Sequence, residues 1–424
     1  MAKVEVTPGM FSEREFQASW KTPIVMGGFA LLILIAFGFV GKPETVTYEL
    51  SQKTDMFFVP NVLFASNALN IGLGVIMLAI AGVSAWFTVV NRKTPAWLLI
   101  VFGLLGAIGL LGWLAAGSAV PVSFILGSAI VLAVPIVLGA LGGVMSERVG
   151  VVNIAIEGQL LTGAFMAAVV GTLTQNLWIG ALTAMITSAI LSMALASLAV
   201  KYLVDQIIIG VLINALVIGV TNFLYSEWLA SNGEAANYPG TFDKFSIPLL
   251  SEIPIIGPAL FDARVTVYLT FVLVPVIWYL LFRTKLGLRA RSVGEHPMAA
   301  DTVGINVART RFWWVTAGGA IAGLGGAALT IGNVGSFGRE MSGGLGFIAL
   351  AVVILGRWQP FLVSAAALLF GFAIILRIWA NQVSPGIPTD FITMVPYLVT
   401  LIAVAGFAGK VRAPAASGQP YVKG

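Results

Sequence analysis

Apolar runs of about twenty residues recur along this chain, and that is the length an α-helix needs to cross the hydrocarbon core of a bilayer. Residues 22–40, 96–117, 265–282 and 312–331 are examples. In such a medium each backbone N–H and C=O must be satisfied within its own segment, so these runs fold as helices. The rest of the composition agrees. Of 424 residues 58% are hydrophobic and 10% charged, against about 25% charged in soluble domains. The expected class is an all-α, polytopic helical membrane protein with about 10–12 transmembrane segments. The 48 glycines allow close helix contacts, and Gly103, Gly106, Gly109 and Gly112 at three-residue spacing would groove one helix face. The net charge of +5 does not imply nucleic-acid binding, because Lys and Arg gather at loop ends where membrane topology already explains them. With no cysteine, disulfides and thiolate chemistry are excluded.

In order, residues 1–21 are polar and of mixed charge, and the apolar run after them lacks a small-residue cleavage site, so it reads as a retained first span. Residues 56–90 are too long for one plain helix and are interrupted by SNALN at 66–70, which suggests an interfacial piece followed by a span from Ile71. Further spans are expected at 120–145, 159–173, 177–204, 206–229, 265–282, 312–331, 361–377 and 391–407, with the longest external loop at 230–262. Segment 346–356 has half a bilayer's worth of residues between Gly343, Gly344 and Arg357, and needs its flanks to help it cross. Basic residues resist translocation, which places both termini and the loops at Arg92, Glu147, Lys201, Arg289 and Arg357 in the cytoplasm. Trp97, Trp228 and Trp379 sit near span ends as interfacial anchors.

The interior holds one long basic, polar island, residues 287–307, with Arg283, Lys285, Arg289, Arg291, Arg309 and Arg311 at its ends. Pro297 suits a first helical position and Gly304 the left-handed position that ends a helix, so a two-turn helix is expected between them. Ala299, Ala300 and Val303 would share its small apolar face, suited to a groove on another protein. The bland alternative is a solvated connection. Inside the membrane, Asn153 and Glu157 lie four apart, on one face if that stretch is helical. A mid-bilayer carboxylate normally faces a cavity or a partner. Glu157 therefore either borders a pathway or bonds to backbone or Arg148, and Asn214 either lines a pathway or joins helices. The stretches 146–158 and 343–360 break the apolar pattern in corresponding places, as the two halves of an inverted repeat would. Asp205 and Lys201 read as boundary charges. The lone His296 has no second ligand near it, so no metal site is expected, and no catalytic constellation or GxxxxGK[ST] phosphate loop occurs.

Four stretches together resemble a known family. SERVGVVNIAIEGQLLTGAF at 146–165 is similar to the first signature of ABC importer permeases of the branched-chain amino acid and ribose type, and its Glu-Arg and Asn-Ile-x-x-Glu-Gly pattern looks most like the nucleoside subgroup. LGLRARSVGEHPMAADTVGINVART at 286–310 resembles that family's coupling segment, GLGFIALAVVILGRWQP at 344–360 its second membrane signature, and DQIIIGVLINALVIG at 205–219 also fits. The resemblance implies a permease core over 118–410 and a cytoplasmic tail over 411–424. Residues 1–117, with about three membrane segments, are an N-terminal extension beyond the usual core. It further implies an ATP-driven importer, working with a second homologous permease, cytoplasmic ATPase subunits that bind the ATP and Mg, an extracytoplasmic substrate-binding protein or lipoprotein, and the lipid of the cell membrane. Carried over by position, Gly294, Glu295, Pro297, Ala299, Ala300, Gly304 and Ile305 would dock the ATPase, and Asn153, Glu157, Asn214, Gly346 and Phe347 would border the substrate pathway. Nucleosides are the implied cargo; ribose-type sugars, branched-chain amino acids, or proton- or ion-coupled secondary transport are the alternatives.

Overall fold

Backbone polar groups pair internally along the apolar runs, and the result is helical nearly throughout. The structure is a computed structural model that describes residues 19–52, 55–383, 394 and 412–422. Among these residues ten helices are long and apolar enough to cross a membrane, and one further apolar helix is shorter. The chain is a polytopic helical membrane protein. The span expected at 391–407 lies outside the described residues, apart from Met394.

The chain forms two compact units. The first comprises Met1–Glu49 and Asn61–Val120. Its helix α1 (Lys21–Leu32) widens into a π-helical turn at Ile33–Phe39. Strands β1 (Thr45–Glu49) and β2 (Val62–Ala65) pair antiparallel, with Thr45 opposite Ala65, and lead into α2 (Ser66–Val89) and α3 (Ala96–Leu114). The polar SNALN stretch does not interrupt the second span, contrary to expectation; it is the first turns of α2. Ser66 and Asn70 are turned inward, where the Ser66 hydroxyl donates to the Gly112 carbonyl (2.8 Å) and the Asn70 amide to the Ser66 carbonyl (2.9 Å). Three of the four glycines of the expected groove have a neighbour, Gly106 lying against the end of Met77. Gly109 and Gly112 face Asn70 and the Tyr48 hydroxyl, whereas Gly103 has no neighbour within 4 Å.

The second unit comprises Leu50–Pro60 and Pro121–Gly424. After β3 (Ala119–Pro121) come α4 (Val122–Glu147), α5 (Ile156–Thr174), α6 (Leu177–Val200) and α7 (Gln206–Leu224), the last widening at Tyr225–Leu229. A connecting region carries short α8 (Gly233–Ala236), β4 (Lys244–Ser246), short α9 (Ile256–Leu260) and β5 (Asp262–Arg264), with β4 and β5 antiparallel. Then follow α10 (Val265–Arg283), α11 (Lys285–Glu295), α12 (Pro297–Thr302), α13 (Val307–Leu329), α14 (Leu345–Leu355) and α15 (Pro360–Val383). Helices α4, α5 and α13 form the centre, around Ile136, Leu138, Leu141, Ile156 and Leu160. Small residues let their backbones meet, as where Gly163 abuts Gly323 and where Gly142 abuts Gly318. Such contact would overlap with any larger side chain.

Two expectations about the polar island need correction. It is mostly helical: α11 turns Gly287, Ala290, Val293 and Gly294 inward and leaves Leu286, Leu288 and Arg289 outside, an amphipathic three-to-four spacing. The following span also begins earlier than residue 312. Asn306 caps it, its side chain accepting from the Arg309 N–H at 2.9 Å.

Candidate translocation pathway and coupling surface

Residues 151–153 between α4 and α5 have no regular structure, so α5 begins with first-turn N–H groups that its own helix cannot satisfy. Asn214 of α7 closes this gap in both directions. Its side-chain oxygen accepts from the Gly158 N–H (2.8 Å) and its amide donates to the Ile154 carbonyl (2.8 Å). Asn153 precedes the helix rather than sharing a helical face with Glu157. It exchanges two hydrogen bonds with Gln159 (3.1 and 3.2 Å), and Gln159 donates to Ser192 of α6 at 2.8 Å. The Ser188 hydroxyl holds the Gln159 carbonyl at 2.8 Å.

Glu157 is 4% exposed and bonds to backbone across the fold, not to Arg148. Its carboxylate accepts from the Ser342 hydroxyl (2.6 Å) and from the N–H groups of Gly344 (2.9 Å) and Gly346 (2.6 Å). Those amides open α14, an 11-residue helix of about 16 Å, half the hydrocarbon thickness. A negative charge at a helix start meets unpaired donors and the positive end of the dipole. Gly346 makes the approach possible, since a Cβ there would lie 2.5 Å from the Glu157 Cα. The first and second membrane signatures therefore meet end to end. Phe347, one residue on, is 52% exposed.

Arg148 serves the basic end of the unit. It donates to the Trp358 carbonyl (3.2 and 3.1 Å) and the Arg357 carbonyl (3.4 Å), while the Trp358 indole donates to the Glu147 carboxylate at 2.5 Å. Arg148 and Arg291 both lie over the Phe282 ring, at 5.3 and 5.1 Å. Burial draws the Arg148 guanidinium below its ordinary pKa; the Glu295 charge opposes this and the Arg291 charge adds to it.

At the same end α11 and α12 form a bent pair. His296 joins them with φ −141° and ψ 82°, Pro297 opens α12, and Gly304 at φ +86° follows it, as the sequence suggested. The expected three-residue face is corrected: Ala300 is 3% exposed and packs inward on Val293 and Val307, whereas Met298 and Val303 are each 74% exposed and Ala299 is also outside. Leu286, Leu288, Glu295, Ala299, Val303 and Ile305 are among the residues that border an open groove of 1240 Å³. Gly294 is buried where any side chain would overlap the Arg148 carbonyl. His296 is exposed, and among the described residues no three His, Cys, Asp or Glu side chains gather where they could hold a metal.

Sequence reasoning missed Gln159, Ser188, Ser192, Ser342 and Gln206, the last accepting from the Val152 N–H at 2.7 Å. A helix of spanning length and a half-length one thus meet at a buried carboxylate, with an amphipathic pair beyond them. Residues 125–404 match the family described as branched-chain amino acid transport system / permease component. The chain belongs to this permease family. It is 40% identical to the guanosine ABC transporter permease protein NupQ of Bacillus subtilis, over 71% of this chain and 97% of NupQ. It is 35% identical to the nucleoside ABC transporter permease protein NupC of Lactococcus lactis, over 70% and 96%. The glucose ABC transporter permease protein TsgB13 of Haloferax volcanii is more distant, 26% identical over 65% and 74%. No solved structure matches the chain. The protein is the permease subunit of an ABC importer, a transport component of a family that works with ATPase and substrate-binding partners.

Proposed function

We propose that this permease imports nucleosides across the cell membrane, with its basic end and both termini in the cytoplasm. The observation that carries the substrate class is the match to two nucleoside permeases along nearly their whole length. Asn153, Glu157, Asn214, Gly346 and Phe347 border the pathway in this reading. The first four act by holding the start of α5 and its junction with α14 in register, since their polar groups are taken up by Gln159, Ser342, one another and backbone. Phe347 offers the open face of α14 to the pathway. Gly294, Glu295, Pro297, Ala299, Ala300, Gly304 and Ile305 form the α11–α12 pair and its connection, whose exposed Met298 and Val303 supply apolar contact for a cytoplasmic ATPase. The ATPase binds ATP and Mg, a second homologous permease completes the pathway, and an external binding protein delivers the substrate. ATP binding favours one arrangement of the ATPase pair and hydrolysis another. The differential contacts with α11 and α12 shift the permease between outward and inward access. Every group of this chain in the scheme positions or moves; the bond chemistry belongs to the ATPase.

Uptake of labelled guanosine, uridine, ribose and leucine by cells with and without the gene tests this directly, each with ATP depleted or the proton gradient collapsed. Gene-dependent nucleoside uptake that follows ATP supports the reading. Ribose or leucine uptake following ATP keeps the importer and removes the substrate class, and uptake following the proton gradient overturns the coupling.

A further inference from the structure

Residues 412–422, RAPAASGQPYV, lie beyond residue 404, where the family match ends. They nevertheless bind the coupling elements closely. The Ala416 N–H donates to the Gly294 carbonyl (2.9 Å), in the last turn of α11, and the Gly418 N–H to the Gly150 carbonyl (3.1 Å), in the turn after α4. The Ala415 N–H donates to the Glu295 carboxylate at 3.2 Å. Arg311, near the start of α13, holds the Val149 carbonyl (3.1 Å) with Nε and the Gln419 carbonyl (2.9 Å) with Nη1. Tyr421 packs on Val293, Ala300 and Val307, one residue each from α11, α12 and α13, and its hydroxyl bonds Asp301 of α12. Gly150 has φ +86°, and a Cβ there would lie 2.9 Å from the Ala416 carbonyl oxygen. On its other side α11 already touches the same turn, through Gly294 and Arg148. Two elements in backbone contact are thus stapled by a third peptide bonded to both.

We propose that residues 415–421 are a strap that makes the α11–α12 pair and the 148–151 turn move as one body, with Ala416, Gly418 and Tyr421 as its positioning residues. The inference rests on the proposed coupling role of α11 and α12. The 148–151 turn leads within a few residues to Glu157, so a displacement imposed on α11 and α12 is delivered to the α5–α14 junction. With the strap gone, α11 slides on the turn and part of each stroke is lost.

The chain has no cysteine, so Ala415→Cys combined with Glu295→Cys reports docking without background. A short thiol-directed cross-linker applied to membranes is expected to link the two positions within one chain, and failure to link them removes the strap. The second arm uses the whole importer in proteoliposomes, comparing the full chain with a chain ending at Val411 and with Tyr421→Ala. Both variants are expected to transport about threefold less substrate per ATP hydrolysed, with unchanged permease and co-purified ATPase. A ratio equal to that of the full chain overturns the proposal; if the shortened chain fails to assemble, Tyr421→Ala decides alone. Absence of ATP-dependent uptake by the full chain counts instead against the importer reading, and the cross-link still reports docking.

Discussion

The α5–α14 junction and the α11–α12 pair are built on opposite plans. At the junction the donors and acceptors find partners inside the chain: Glu157 takes three donors, Asn214 serves two backbone groups, and Asn153 and Gln159 serve each other. At the pair, large apolar side chains remain outside, with Leu286, Leu288, Met298 and Val303 all exposed. A site whose polar groups are fully met is a finished joint, and changes within it register in the fold itself. A surface with unmet apolar area is half of an interface, and changes on it register in assembly.

The largest effect is expected where the joint is tightest. Gly346→Val forces a side chain into the Glu157 backbone; overpacking of this kind costs about 1–3 kcal/mol and sometimes more, and uptake should vanish together with most of the folded permease recovered in detergent. Glu157→Gln comes next. Its amide brings a donor to a place where Ser342, Gly344 and Gly346 already donate, a buried mismatch of about 1–3 kcal/mol. A lower thermal midpoint and roughly tenfold slower uptake are expected, whereas an unchanged midpoint would remove Glu157 from the joint. Asn214→Leu strands the Gly158 N–H and Ile154 carbonyl. Its midpoint should fall by a smaller amount, about 1–2 kcal/mol in stability, because both groups are neutral. Val303→Asp sharpens the contrast from the other side. Stability should stay within about 0.5 kcal/mol, while co-purification of the ATPase drops by about 1 kcal/mol of binding or more. Equal loss of stability in Val303→Asp and Asn214→Leu would erase the distinction between joint and interface.

Much of the fold was legible because span length is a physical requirement, and the runs at 96–117, 177–204 and 265–282 coincide with α3, α6 and α10 to within a few residues. The misreadings have two causes. Ser66 and Asn70 break an apolar pattern when counted along the chain, but they face inward, and pattern alone does not show which way a polar group turns. Helix α11 was hidden for the opposite reason: its apolar side is made of Gly, Ala and Val between arginines, a stripe too weak to stand out. At the candidate site, the motifs pointed to Glu157 and Gly346, and these do meet. Gln159, Ser192 and Ser342 went unnoticed because a serine on a helix carries no mark of the distant group it will bond. The packing of residues 412–422 was equally silent, since Pro, Gly, Ser and Ala read as a solvated end until the backbone they bond is known.

The hydrogen bond between Gly346 and Glu157 joins residues 189 positions apart, and this separation sets a schedule for manufacture. At about 5–20 residues per second, a ribosome needs roughly 10–40 s to reach the second partner after making the first. Throughout that interval the newborn α5 carries a carboxylate whose placement at mid-bilayer costs about 2.5–3.5 kcal/mol. Full seating of the first half is therefore expected to follow synthesis of residues 342–346, which supply the three donors to Glu157.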